Sequence, residues 1–413
     1  MSGRPLLTAC VIARDEERLL GDALESVRPF SDEIVVVDTG SKDRTVEVAR
    51  AAGARVVGHV WQDDFATARN VAHSHARGRW LLWLDADERL VAGEGVRDTV
   101  ESASPAVGGF VIERHDLVVH AASGRADVFP VGMVRLFRND PRIRWIGIVH
   151  ERPGETVVDA GLELGIATRF KLDHLVSALP ADTLRRKQER YLRLLDRAVG
   201  LDPDDGWSLY YRGKTRWHLG STDGALADFA RVAALSQARP FLRASAHVMS
   251  AAVRLEKGDS DGALNALEES LAIVPEQSLA RAVLGEVRYA RGEYEAALEA
   301  WTAVRLSLSP ALPGEAVPGD LYMTAEKRSY KRGCAHLALG RLVEAARCFD
   351  EGLRANRHDA GCWYGLARVA LQRGDSNRAL IMLAACRDAD PGWQEPRLVE
   401  EEVRGVNRPG LEG

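Results

Sequence analysis

WLLWLDADE, residues 80–88, is the stretch that decides how the first half of this chain folds. Five apolar residues in a row, set between Gly78 and a cluster of acids, read as a strand buried on both faces. Asp85 and Asp87 then stand at its carboxyl end. The same alternation runs upstream. Residues 6–13 form a compact apolar run, and 16–28 carry Leu20, Leu24 and Val27 on one helical face before Pro29. Residues 34–37 are β-branched throughout and end at Asp38-Thr39-Gly40. Residues 43–52 read as a helix, with Ser41 or Asp43 as cap and Gly53 beyond its end. A strand over 55–60 and a helix over 65–77 complete a β-α-β-α-β-α-β pattern. That order predicts a parallel sheet with helices on its faces and ligands beyond the carboxyl ends of its strands.

Residues 109–174 change character. Short strand candidates at 110–112, 117–119, 128–136, 143–149 and 157–158 are separated by glycine, proline and charge. They predict a mixed extension of the sheet that walls the acceptor side of a site. Past residue 206 the pattern is helical and repeats. Glycine followed five positions later by alanine recurs as Gly220/Ala225, Gly258/Ala263, Gly292/Ala297, Gly340/Ala345 and Gly374/Ala379. A bulky residue follows each alanine by four (Phe229, Leu267, Trp301, Phe349, Leu383), and a small one precedes each glycine by seven. The alanines lie 38, 34, 48 and 34 residues apart, a period that resembles the tetratricopeptide repeat. The small residues allow helices to approach closely, and the glycine turns the chain. The long interval holds a proline- and glycine-rich insert, 309–320, that reads as a loop. The expected organisation is a catalytic domain over 1–178, a connecting helix within 179–205, repeats over 206–395 and a polar tail over 396–413.

Composition excludes several classes. Net charge is −5 over 413 residues and lysine and arginine are scattered, so no nucleic-acid partner or polybasic membrane signal is read. No segment nears the length of a membrane span, and residues 1–17 lack the apolar core of a signal peptide. The five cysteines show no C-x-x-C spacing, which suits reduced, buried thiols. The expectation is a cytoplasmic protein of open oligomeric state.

Two carboxylates at a strand end suit a hard divalent cation, Mn²⁺ or Mg²⁺, which takes one or two carboxylates plus phosphate oxygens and water. Alone, Asp85 and Asp87 fit a solvated strand end as well. Asp38 is open between a base or ribose acceptor and a turn-forming Asp. Taken together, LTACVIARDEE (7–17), IVVVDTGSKDRT (34–45), FATARN (65–70) and LDADE (84–88) resemble glycosyltransferase family 2, the GT-A fold. With C-terminal repeats, the chain is similar to a bacterial subgroup that includes the sublancin-type peptide S-glycosyltransferases. The resemblance implies a GT-A, Rossmann-like mixed sheet followed by an all-α tetratricopeptide-type solenoid. It implies a nucleotide-diphosphate sugar donor, uridine-linked as first expectation, and an inverting transfer to an acceptor such as a peptide or protein. By the same resemblance Thr8, Ala9, Arg14, Asp38 and Asp43 line the nucleotide pocket. Asp64, Arg69 and Asn70 support the donor, together with Asp85 and Ala86. Asp85, Asp87 and His174 hold the metal. Asp15 is left out, because the family often has Asn there. Glu151 is the first choice for the base that takes the acceptor's proton, with His150 as its orienter or alternative. The competing readings are a repeat scaffold with an inactive α/β domain, a transferase with a polysaccharide or natural-product acceptor, and a nucleotidyltransferase. No Walker loop suggests a P-loop kinase.

Overall fold

The computed structural model describes residues 4–119, 126–176, 181–306 and 323–404. They fall into two compact units, one reaching to Ala246 and the other running from His247 onward.

The first unit is built on an eight-stranded sheet. Strands β1 (Leu7–Ala13), β2 (Glu33–Asp38), β3 (Arg55–Gly58) and β4 (Trp80–Leu84) are parallel, as the alternation predicts, with α1 (Leu20–Val27), α2 (Thr45–Ala51) and α3 (Phe65–His75) between them. All five residues of β4 are buried. Leu82 and Leu84 join a core with Leu20, Leu24 and Val27 on one face, while Leu81 and Trp83 face Ala72, Phe137 and Trp145 on the other. The sheet continues through β5 (Glu88–Val91), β6 (Val107–Val119), β7 (Ala126–Arg138) and β8 (Glu163–Val176), in the order β3-β2-β1-β4-β7-β6-β8-β5.

The mixed extension exists, but its pieces differ from the short runs expected. Residues 110–119 form part of one long strand. Residues 143–149 are not a strand: Gly147 takes a φ of +97°, and Ile143, Trp145 and Val149 bury themselves in a loop. Val157 and Val158 belong to helix α5 (Pro153–Asp159), which opens on a proline whose missing N–H costs nothing there. Helix α4 (Glu94–Glu101) follows Ala92, an exposed alanine with φ +56°. That left-handed conformation costs a non-glycine residue about 1–2 kcal/mol. Ala92→Gly is therefore expected to stabilise the unit by about 0.5–1 kcal/mol after the extra chain entropy of glycine is deducted, read as a shift in urea midpoint.

Helices α6 (Ala181–Leu201), α7 (Gly206–His218) and α8 (Thr222–Ala234) belong by contact to the first unit, and α9 (Pro240–Glu256) spans the boundary. The second unit continues with α10 (Ser260–Ile273), α11 (Ser278–Ala290), α12 (Tyr294–Thr302), α13 (Ala325–Ala338), α14 (Leu342–Ala355), α15 (Ala360–Gln372), α16 (Ser376–Ala389) and α17 (Glu395–Arg404). The repeat grammar is realised residue by residue. All five turn glycines have positive φ, between +71° and +85°, and all five partner alanines are fully buried. Where the small residue is glycine, it receives the bulky ring, Gly213 that of Phe229, Gly285 that of Trp301 and Gly333 that of Phe349: a Cβ added at Gly333 would lie 2.5 Å from Phe349 Cε1. Gly333→Ala is accordingly expected to cost about 1–3 kcal/mol, measurable by denaturant titration. The insert 309–320 lies outside the described residues, as do 405–413. Residues 396–404 of the expected polar tail are instead helical, with Glu400 ion-paired to Arg387 and Arg404.

Candidate active site

At the carboxyl edge of β4, Asp85 is gripped by two arginines. Arg69 Nη2 from α3 donates to Asp85 Oδ1 at 2.7 Å, and Arg135 Nη2 from β7 donates to Oδ2 at 2.6 Å. Burial by itself would push this carboxyl up, but Arg135 and Arg69 hold it well below the usual carboxylate range. Arg135 reaches it through a β-bulge. The β6–β7 register passes from Phe110↔Leu136 to Val111↔Val134, leaving Arg135 as the extra residue. A bulge re-aims one side chain without disturbing the rest of the ladder. Arg135 also donates to Glu88 at 3.2 Å, and Glu88, fully buried, accepts from the Asp85 backbone N–H at 2.9 Å. Arg69 packs over Trp145 at 4.7 Å and Trp83 at 5.6 Å.

Asp87 points elsewhere. Its Oδ2 lies 3.2 Å from His174 Nε2, and His174 Nδ1 lies 2.8 Å from Asp116 Oδ1. Strand pairing places this contact, because Glu88 is in register with His174 across β5 and β8. Burial opposes protonation of His174, but the hydrogen bonds to Asp116 and Asp87 carry its pKa up to about 9. A carboxylate and an imidazole sharing a proton form a donor pair that a divalent cation fits once it displaces that proton. Asp85 does not complete the expected trio, since both its oxygens are engaged by arginines. No group of three or more metal-ligating side chains occurs among the described residues. The pair therefore fits a cation that takes its remaining ligands from phosphate and water.

The loops after β1 and β2 are stapled together. Lys42 N–H donates to Asp15 Oδ1 at 2.7 Å, Asp15 N–H to Ser41 Oγ at 3.0 Å, and Glu17 N–H to Asp43 Oδ2 at 3.1 Å. Asp15 has φ +56°, a conformation that Asn and Asp tolerate best. Asp38 accepts from Gly40 and Ser41 N–H, so its carboxylate shapes its own turn. Glu16, missed in the sequence, faces inward. Burial and the charges of Asp87, Asp43, Asp15 and Asp85 together push its carboxyl up. The carboxyl edge is thus strongly acidic, with exposed Arg14 at its rim.

Glu151 and His150 have different neighbours. Glu151 Oε2 lies 3.5 Å from Arg69 Nε, and burial pushes its carboxyl up against the pull of Arg69. His150, with φ +57°, stacks on Tyr211 at 4.0 Å and meets Tyr191 edge-on at 5.5 Å. Burial, then Lys214, Arg152 and Lys187, drive its pKa down to about 3, and its ring packs between Tyr211 and Tyr191. That packing sets His150 against rings of α6 and α7, while Glu151 faces Arg69. Asn70 holds the other side of the same loop through paired bonds to the Trp145 backbone, both 2.9 Å. Asp64 caps α3 by accepting from Thr67 N–H at 2.9 Å.

Residues 8–99 match the glycosyl transferase family 2 model. The N-terminal domain belongs to that family. Residues 248–313 and 330–392 match the tetratricopeptide repeat model, so a family 2 domain precedes tetratricopeptide repeats here. A TPR repeat-containing protein of Synechococcus elongatus is 38% identical over 157 residues, covering 38% of this chain and 36% of that protein. The SPbeta prophage-derived glycosyltransferase SunS of Bacillus subtilis strain 168 is 23% identical over 236 residues, covering 55% and 53%. An uncharacterized glycosyltransferase of Rickettsia typhi is 33% identical over 95 residues, covering 23% and 32%. The chain thus spans about a third to a half of the length of these relatives.

Within the family 2 domain, two expected pocket residues need correction. Thr8 and Ala9 are fully buried toward the amino end of β1. Thr8 Oγ1 donates to Glu33 and accepts from Gly78 N–H, locking the edge opposite the site. At about 3.3 Å per residue, Thr8 lies on the order of 16 Å from the carboxyl edge. Ala13, in register with Asp38, occupies the edge instead. Ala86 is 5% exposed and packs into the core, and its carbonyl accepts from Arg89 at 3.2 Å. Arg135 and Glu88 were missed as site residues. An arginine inside an apolar strand run is the one signal that pointed to the first.

Proposed function

We propose that this protein transfers a sugar from a nucleotide-diphosphate sugar, uridine-linked, to a peptide or protein side chain, with inversion and with the help of Mn²⁺ or Mg²⁺. The acidic carboxyl edge of the family 2 sheet carries this reading. A diphosphate brought beside Asp15, Glu16, Asp43 and Asp87 meets mostly like charge, with Arg14 at the rim and His174 the positive groups nearby, and Arg69 and Arg135 are already neutralised by Asp85, Glu88 and Glu151. A cation is the plain way to reconcile donor and site. Asp87 and His174 would hold it, and it would neutralise charge on the departing diphosphate. Asp38 and Arg14 stand where the nucleoside would lie, and Asp85 holds Arg69 in place. Glu151, buried and with a raised pKa, is suited to accept the acceptor's proton as the new bond forms. Similarity to SunS, itself named a glycosyltransferase, favours the same activity; the peptide acceptor rests on the subgroup resemblance and the repeats. No helix among the described residues is long and apolar enough to cross a membrane.

The test is release of nucleoside diphosphate from a panel of nucleotide sugars with Mn²⁺ or Mg²⁺. Release from one donor is expected, abolished by EDTA and by Asp87→Ala/His174→Ala. Calorimetry showing no binding of any nucleotide sugar would sink the reading.

A further inference from the structure

Helix α6 stands out against an acidic protein. It carries Arg185, Arg186, Lys187, Arg190, Arg193 and Arg197 against Asp182, Glu189 and Asp196, in a chain of net charge −5. Its apolar face is committed: Leu194, Leu195, Ala198 and Val199 are buried, and Leu194 and Leu195 pack with Val149 of the loop that carries Glu151. The opposite face is not. Arg186, Arg190, Arg193 and Arg197 recur at intervals of four, three and four, which aligns them along one side of the helix, and all four are exposed. Arg197 is tied down by the Gln62 carbonyl at 2.8 Å. Arg186 and Arg193 have no ion-pair partner among the described residues, and Arg190 lies over the rings of Phe65 at 5.8 Å and Tyr191 at 5.7 Å. Like charges held along one face repel unless something anionic lies across them. Tyr191 joins this face to the site, because its ring also meets His150, the neighbour of Glu151.

We infer that the exposed face of α6 docks an acidic polypeptide segment and leads it toward Glu151. This deepens the transferase reading, on which it rests, by assigning the acceptor's charge. The face spans about 16 Å, the reach of roughly five extended residues. A polypeptide fits better than a nucleic acid. The nearby rings of Phe65 and Tyr191 already carry the Arg190 guanidinium over them, which competes with a base for stacking. A peptide with acidic and apolar side chains matches basic heads set among half-buried rings.

Fluorescence anisotropy of the full chain with labelled oligo-glutamate tests this, with oligo-lysine, an oligonucleotide and phosphatidylserine vesicles alongside. Oligo-glutamate is expected to bind, more weakly as salt rises, and Arg186→Glu/Arg190→Glu/Arg193→Glu to lose about tenfold or more in affinity. Unchanged circular dichroism and unchanged nucleotide release would show that the variant is folded and its donor site intact. No binding of oligo-glutamate, or equal binding by the variant, would overturn the inference. So would variant-sensitive binding of vesicles or oligonucleotide that exceeds that of the peptide. The assay uses no sugar donor, so its failure is separate from failure of the transferase reading.

Discussion

Asp85→Ala will lower folding stability by about 3–5 kcal/mol, the size expected when one partner of a buried ion pair is removed. The two arginines make the loss large. Arg69 is 5% exposed and Arg135 3%, and both guanidiniums converge on the one carboxylate. Without it they face each other with only Glu88 and Glu151 to offset them. Asp87, 39% exposed at its side chain, supports only His174, which keeps Asp116 as partner, so Asp87→Ala is expected to cost no more than about 1 kcal/mol. Both variants should lack nucleotide release, but only the first should melt early. The pH dependence has a definite sign. A carboxyl whose folded pKa is depressed contributes stability above its unfolded value, about 3.9, and loses it as the pH falls toward the folded value. The gap between wild type and Asp85→Ala should therefore close in acid. Equal urea midpoints for the two alanine variants at neutral pH would refute the clamp.

Glu151→Gln will reduce turnover by about 10²–10⁴-fold while leaving nucleotide-sugar affinity unchanged, because the amide keeps the shape but cannot take a proton. Burial raises the Glu151 carboxyl above the ordinary ~4.3, so wild-type turnover should fall as the pH drops through that raised value. The variant should show no such limb. Stability should not drop at neutral pH: a buried carboxylate with a raised pKa is destabilising when ionised, and Arg69 keeps Asp85 as partner. Loss of activity without loss of stability is the opposite of the pattern for Asp85→Ala. A variant that turns over like wild type would move the base elsewhere, and Glu16 is then the next carboxyl with a raised pKa.

Local pattern and turn chemistry carry information that a sequence displays openly. The four parallel strands, the helices between them and the five-fold repeat grammar are legible because each depends on neighbours within a few positions: period two or 3.6, a capping acid, a glycine at positive φ. The placement of Asp85 and Asp87 at a carboxyl edge follows from the same local reading. Their division of labour does not. Arg69, Arg135 and Glu88 reach Asp85 from 16, 50 and three residues away, and the bulge that aims Arg135 is a property of strand register. Thr8 and Ala9 were misplaced for a related reason: a buried strand looks alike along its length, and only its pairing tells which end meets the ligand. The loop at 143–149 was apolar enough to pass for a strand, but its residues bury against helices α3 and α6 instead of pairing with the sheet. Sequence alone therefore determined the two halves, their architecture and the sheet edge at which Asp85 and Asp87 stand. Tertiary structure decided which carboxylate is clamped by arginine, which meets His174, and which is buried beside Arg69, because those contacts rest on long-range register and burial.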